Sequence, residues 1–136
     1  MVLVDTTVWI DLLRGQDTAA VANLQKLLRD RRVATTPVVI QEILQGAQNP
    51  ASLLQLRQHF MALPQLEPLA GGASHAAAGE LYARCRWQGI TPRSPHDCLI
   101  AQIAIDHQRP LLHDDRDFVA IGSVEPRLKL FETSVA

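Results

Sequence analysis

Residues 2–15 read VLVDTTVWIDLLRG, three apolar residues running into a carboxylate, two hydroxyls and then apolar positions at helical spacing. An apolar run this short, with no polar alternation, suits a strand buried on both faces. Asp5 ends it, Thr6 and Thr7 are placed to cap a helix through Trp9, Ile10, Leu12 and Leu13, and Gly15 stops that helix. The pattern returns twice. VATT at 33–36 leads into Pro37 and a helix ending near Gly46, and PLLH at 110–113 leads into an acidic turn and a helical turn over 116–121. Further helices are expected over 18–31, 51–63 and 74–88, and another opens at Ser94 and Pro95 with Leu99, Ile100, Ile103 and Ala104 on its apolar face. Pro64 and Pro68 bracket a weak strand over 65–70, and a last strand is expected over 128–132. Short apolar strands alternating with helices specify an α/β fold with a parallel sheet covered on both faces.

The 136 residues form one domain, 1–136, with no repeat or linker to divide it. Apolar residues make up 47% and aromatic residues 4%, so the core is built from Leu, Ile, Val and Ala. No apolar run approaches the roughly 18 residues of a membrane helix. The first residues lack a basic start and carry Asp5 and Asp11 within their apolar part, which argues against a secretory signal. Cys85 and Cys98 are too few and too far apart for a zinc framework. They read as reduced thiols, and the expected location is the cytoplasm.

The acids carry the chemistry. In an open parallel sheet, ligands bind beyond the carboxyl ends of the strands. Asp5 follows the first strand and Asp115 follows PLLH, while Glu42 and Asp97 lie early in helices able to return to that edge. Two carboxylates about 4 Å apart repel by roughly 4 kcal/mol at an effective dielectric of 20, and a hard divalent cation removes that repulsion. An oxygen-only donor set favours Mg²⁺, or Mn²⁺, over Zn²⁺. Of the 13 basic residues 11 are arginines, which fork onto phosphate. If five of the 14 acids share one pocket, nine acids face those 13 bases elsewhere, a balance suited to a phosphate-backbone substrate.

Each acid also has a structural reading. Asp97 stands three residues after Ser94, the spacing of a capping box. Glu42 lies opposite the stripe of Ile40, Ile43, Leu44 and Ala47, where solvent exposure is ordinary. Asp5 could cap the following helix, and Asp114, Asp115 and Asp117 could be turn residues. His96 reads as a helix-end side chain, His113 stands next to the acids, and His59, His75 and His107 read as surface residues. Arg84, Arg86, Trp87 and Arg93 precede the Asp97 helix, where charge and stacking could hold single-stranded RNA.

Taken together, the chain resembles the PIN-domain proteins, specifically the VapC-type toxins of bacterial toxin–antitoxin pairs. VLVDTTVWID resembles that family's first motif and carries a metal carboxylate onto Asp5, with Thr6 or Thr7 in a supporting hydrogen bond. TPVVIQEILQG resembles the second, with its acid at Glu42, and GITPRSPHDCLIAQIA the third, with its acid at Asp97. PLLHDDRDF resembles the fourth, with Asp115 and Asp117 in the acidic positions and Asp114 peripheral. His113 stands where the family more often has Thr or Ser.

The resemblance implies a three-layer α/β/α sandwich with a short central parallel sheet, and a Mg²⁺-dependent endoribonuclease acting on tRNA, rRNA or mRNA. It names Asp5, Glu42, Asp97, Asp115 and Asp117 as catalytic, with Asp5, Asp97 and Asp115 on the metal. It also implies a homodimer inhibited by a cognate antitoxin whose C-terminal segment occupies the acidic groove. A haloacid-dehalogenase-like phosphatase would need a second Asp where Thr7 stands and a lysine near the later acids, which neither Lys26 nor Lys129 provides. The alternative of another class is a non-catalytic module that binds RNA or protein through the same groove.

Overall fold

The computed structural model describes residues 1–132. Its centre is β1 (Val2–Val4), flanked by β2 (Val33–Ala34) and β3 (Leu111–Leu112) in the parallel order β2-β1-β3. Val2 pairs with Val33, and Leu3 pairs with both Ala34 and Leu111. All three β1 residues are fully buried, as an uninterrupted apolar run requires. The fold is therefore α/β, as read from the strand–helix alternation.

The β1-to-β2 crossover holds α1 (Thr6–Leu13) and α2 (Ala19–Arg29). The return from β2 to β3 holds α3 (Pro37–Gln45), α4 (Pro50–Met61), α5 (Ala73–Trp87) and α6 (Pro95–Asp106), and α7 (Arg116–Val124) follows β3. Right-handed crossovers in opposite directions place α1 and α2 on one face of the sheet and α5 to α7 on the other. Helix α3 touches both α1 and α6, so its first turns lie at the carboxyl edge of the sheet.

The apolar stripe of α2 belongs to the core, where Val21, Leu24 and Leu27 are buried. Leu53 and Leu54 of α4, by contrast, are exposed. Trp9 crosses Phe60 edge to face with ring centroids 4.8 Å apart, tying α1 to α4. Cys85 and Cys98 are free and buried where α5 packs on α6, and burial pushes the Cys98 thiol up to about 12.

Two expected strands shrink to single bridges. Residues 65–70 contribute only the pairing of Gln65 with Thr35, because Pro68 has no N–H to continue a ladder. Residues 128–132 contribute only Leu130, bridged to Leu111 through Leu111 N–H on the Lys129 carbonyl and Phe131 N–H on the Leu111 carbonyl. The helical turn expected over 116–121 runs on to Val124.

Phe118 is fully buried one residue after Asp117, with its ring 5.6 Å from that of His113. It anchors the start of α7 beneath the acidic turn. Phe118→Ala is expected to lower stability by about 3–5 kcal/mol, read from the midpoint of urea unfolding at unchanged m-value.

Candidate metal centre

Asp5 leaves β1 at the sheet's carboxyl edge and occupies the N-cap position of α1, but its side chain makes no capping hydrogen bond. Only 3% of it is exposed. The neighbouring threonines do not cap the helix as expected from sequence. Instead Thr6 Oγ1 donates to Glu42 Oε1 at 2.8 Å, across from α1 to α3. Glu42 Oε2 lies 3.6 Å from His96 Nδ1 at the start of α6, so Glu42 bridges the first turns of two helices instead of facing open solvent. Ser94 caps α6 by accepting the His96 N–H, which leaves the Asp97 carboxylate to face the other acids.

Asp115 caps α7 by accepting the Asp117 N–H at 2.9 Å, so the turn-residue reading of this acid is correct as far as it goes. Asp97, Asp115 and Asp117 nevertheless each offer a carboxylate oxygen within 4.8 Å of the other two. Asp114, between His113 and this group, is exposed. His113 is half-buried, accepts the Asp115 N–H at 3.2 Å on Nδ1, and is held below its ordinary proton affinity by burial.

Electrostatics divide the acids into two pairs. Asp5 is pushed up to about 7, first by burial, then by the charge of Asp97, with Glu42 adding less and the backbone amides of Thr6 and Thr7 opposing. Asp97 is pushed up to about 6 by burial and by the charges of Asp115, Asp117 and Glu42, against the opposing Arg93. The outer pair has its own cation. Arg93 Nη2 donates to Asp115 Oδ1 at 2.8 Å, Arg93 Nε to Asp117 Oδ2 at 3.0 Å, and the Arg93 backbone N–H to the same oxygen at 3.1 Å. These bonds hold Asp117 below the usual carboxylate range even though partial burial pushes it up.

The clamp by Arg93 is the feature sequence reasoning missed. Its position in the loop before α6 was visible, but no periodicity connects it to acids more than 20 residues later. Of the neighbouring basic and aromatic residues, Arg84 pairs with Glu125 at 3.2 Å, whereas Trp87 is 75% exposed at the end of α5.

The sequence profile of the PIN domain matches residues 2–124. The chain belongs to the PIN-domain family. It is 34% identical over 126 residues to VapC ribonuclease Mb1587 of Mycobacterium bovis, an alignment covering 91% of this chain and 93% of that one. Ribonuclease VapC11 of Mycobacterium tuberculosis aligns to the same extent. Among solved structures, VapBC2 from Rickettsia felis bound to a promoter DNA fragment superposes with a TM-score of 0.73 at 20% identity, covering 96% of this chain and 98% of that one. FitAcB from Neisseria gonorrhoeae superposes with a TM-score of 0.66 at 20% identity, covering 97% of both chains.

The donor set of this PIN domain fits a hard divalent cation. The described cluster offers only carboxylate oxygens, without Cys or His ligands, and Asp5 and Asp97 stay raised despite the charge of Arg93 on Asp97. Without a divalent cation, the raised Asp5 and Asp97 retain protons in the folded protein that the unfolded chain has already released. Their contribution to stability therefore falls as pH rises from about 4 to about 7. His113 contributes with the opposite sign as pH rises through its ordinary range, so the difference between variants isolates the acids. In EDTA at pH 8, Asp5→Asn is expected to melt higher than wild type by roughly 5 °C. At pH 5, where wild-type Asp5 is protonated, that gap is expected to close. Thermal unfolding at the two pH values measures both.

Proposed function

We propose that this protein is a divalent-metal-dependent endoribonuclease, the toxin of a toxin–antitoxin pair. The observation that carries the reading is the convergence of Asp97, Asp115 and Asp117 beside buried Asp5 and half-buried Glu42, five acids drawn from four distant segments to one edge of the sheet. Ribonuclease names among the relatives at 34% identity support the reaction class, and a toxin–antitoxin complex from Klebsiella pneumoniae, a structural neighbour at a TM-score of 0.69 and 15% identity, supports the partner.

In this reading Asp5, Asp97 and Asp115 hold Mg²⁺ or Mn²⁺, and Glu42 and Asp117 complete the catalytic set, with Asp117 close enough to Asp97 and Asp115 to position the ion or its water. A bound divalent cation would supply Lewis acidity toward a phosphodiester oxygen and activation of the attacking water. The chain itself contributes placement. Thr6 fixes one oxygen of Glu42 and leaves the other for His96 or a water, while burial of Asp5 keeps bulk solvent off the innermost acid. Phosphate esters of tRNA, rRNA or mRNA are the substrates, and exposed Trp87 offers a ring face on which an unpaired base can stack.

A cleft of about 480 Å³ opens on the α4 side of Glu42, lined by Ile10, Leu13, Glu42, Leu56 and His59 among others. It suits an antitoxin segment that covers apolar surface while its end reaches Glu42. A homodimer acting in the cytoplasm completes the proposal. Among the described residues no helix is long and apolar enough to cross a membrane.

Purified protein incubated with total cellular RNA tests the reaction. Discrete fragments are expected with Mg²⁺ or Mn²⁺, none with EDTA, and a loss of roughly a hundredfold or more in rate for Asp97→Asn, whose thermal stability in EDTA above pH 7 is expected to be no lower than that of wild type. Metal-independent cleavage, or full activity in Asp97→Asn, would sink the assignment. RNA binding without cleavage under any metal condition would favour a non-catalytic binding module.

A further inference from the structure

Arg93 is 69% exposed, yet its backbone N–H, Nε and Nη2 are all committed to Asp115 and Asp117. These are two of the three carboxylates that could hold a cation with Asp97. Among the described residues, Arg93 is the basic side chain hydrogen-bonded to this group. The guanidinium bonds one oxygen on each outer carboxylate, its charge reaches Asp97 without a hydrogen bond, and no cation among the described residues opposes the burial of Asp5.

We infer that Arg93 is a built-in counter-ion of the acidic pocket, displaced from Asp115 and Asp117 by the divalent cation and thereby freed to grip a phosphate of the RNA. The inference rests on the metal-dependent reading above and adds a residue and an order of events to it. Two physical facts drive it. A divalent ion among Asp97, Asp115 and Asp117 would stand a few ångströms from the guanidinium, and like charges at that distance repel even in high dielectric. The two cations also draw on the same carboxylates, so one weakens the hold of the other.

Released from the acids, the side chain remains tethered beside them by its position before α6. Its planar fork matches a phosphate as well as a carboxylate. An exchange of partner from carboxylates to phosphate therefore keeps the guanidinium paired before and after the substrate arrives. It also keeps Asp115 and Asp117 compensated while the pocket is without a cation.

The test is Mn²⁺ binding without RNA, measured by isothermal titration calorimetry on wild type, Arg93→Ala and Arg93→Lys. Because Arg93 is exposed, the variants are expected to melt as wild type does in the presence of Mn²⁺. Arg93→Ala is expected to bind Mn²⁺ roughly tenfold more tightly than wild type. Arg93→Lys, which keeps the charge and loses the fork, is expected to fall between them. Unchanged or weaker Mn²⁺ binding by Arg93→Ala would mean that Arg93 holds the carboxylates in place for the ion, and would overturn the inference. Failure of wild type to bind Mn²⁺ at all would overturn the metal reading as well, which separates the two.

The second half is read with a short single-stranded RNA of mixed sequence and Ca²⁺ in place of the catalytic ion. Arg93→Ala is expected to bind it less tightly, with a salt dependence shallower by about 0.7 in the log–log slope. An unchanged slope would show that Arg93 does not reach a phosphate and would overturn that half.

Discussion

Repulsion among the carboxylates at the carboxyl edge of the sheet is the constraint around which the rest of the domain is arranged. Buried Asp5 and half-buried Asp97 face each other's charge with no cation among the described residues hydrogen-bonded to either, and both hold their protons toward neutral pH as a result. Such an arrangement persists only when the surrounding structure leaves the acids no room to separate. The fully buried strand β1 fixes Asp5, and the apolar face of α6, with Cys98, Ile100, Ala101, Ile103 and Ala104 buried, fixes Asp97. Phe118 pins α7 and with it Asp117. The stability of this core is set against a site that destabilises the domain until a cation arrives, a common trade between function and stability.

The site depends on α3 as much as on the sheet. Because α3 reaches both α1 and α6, Glu42 can receive the Thr6 hydroxyl from one side and approach His96 on the other. One carboxylate thus joins the two helices whose first turns carry the inner acids. The outer pair is organised differently, by a cap and a clamp: Asp115 accepts the amide of Asp117, and Arg93 draws both against the loop before α6. Inner acids held by burial and outer acids held by hydrogen bonds give the pocket one rigid half and one exchangeable half.

The sequence made the parallel sheet and the approach of the acids legible because both follow from local rules. An apolar triplet ending on a carboxylate marks a buried strand and its functional end, and this served for VLVD and PLLH alike. Capping and exposure were harder, because they depend on what the rest of the chain brings near. Thr6 reads from its own segment as a cap for α1 and donates to Glu42 instead, the supporting hydrogen bond that the family resemblance implied. Glu42 was expected to face solvent on the pattern of its own helix, but α1 and α6 enclose it. The clamp of Arg93 on Asp115 and Asp117 joins a loop to a turn, and neither element has a period from which contact can be read. The bounds of the edge strands failed for a related reason: a lone bridge at Gln65 or Leu130 depends on tertiary placement more than on strand propensity.

The order of segments in the sheet has a consequence for synthesis. The central strand β1 leaves the ribosome first, but one of its two neighbours is β3, and Asp115 and Asp117 lie beyond β3. At about 5–20 residues per second, several seconds separate the emergence of Asp5 from that of Asp117. Throughout that interval the nascent chain lacks both outer carboxylates and the turn that seats them. The pocket is assembled last, by the same event that completes the sheet, so a partly translated chain carries only part of its acidic set.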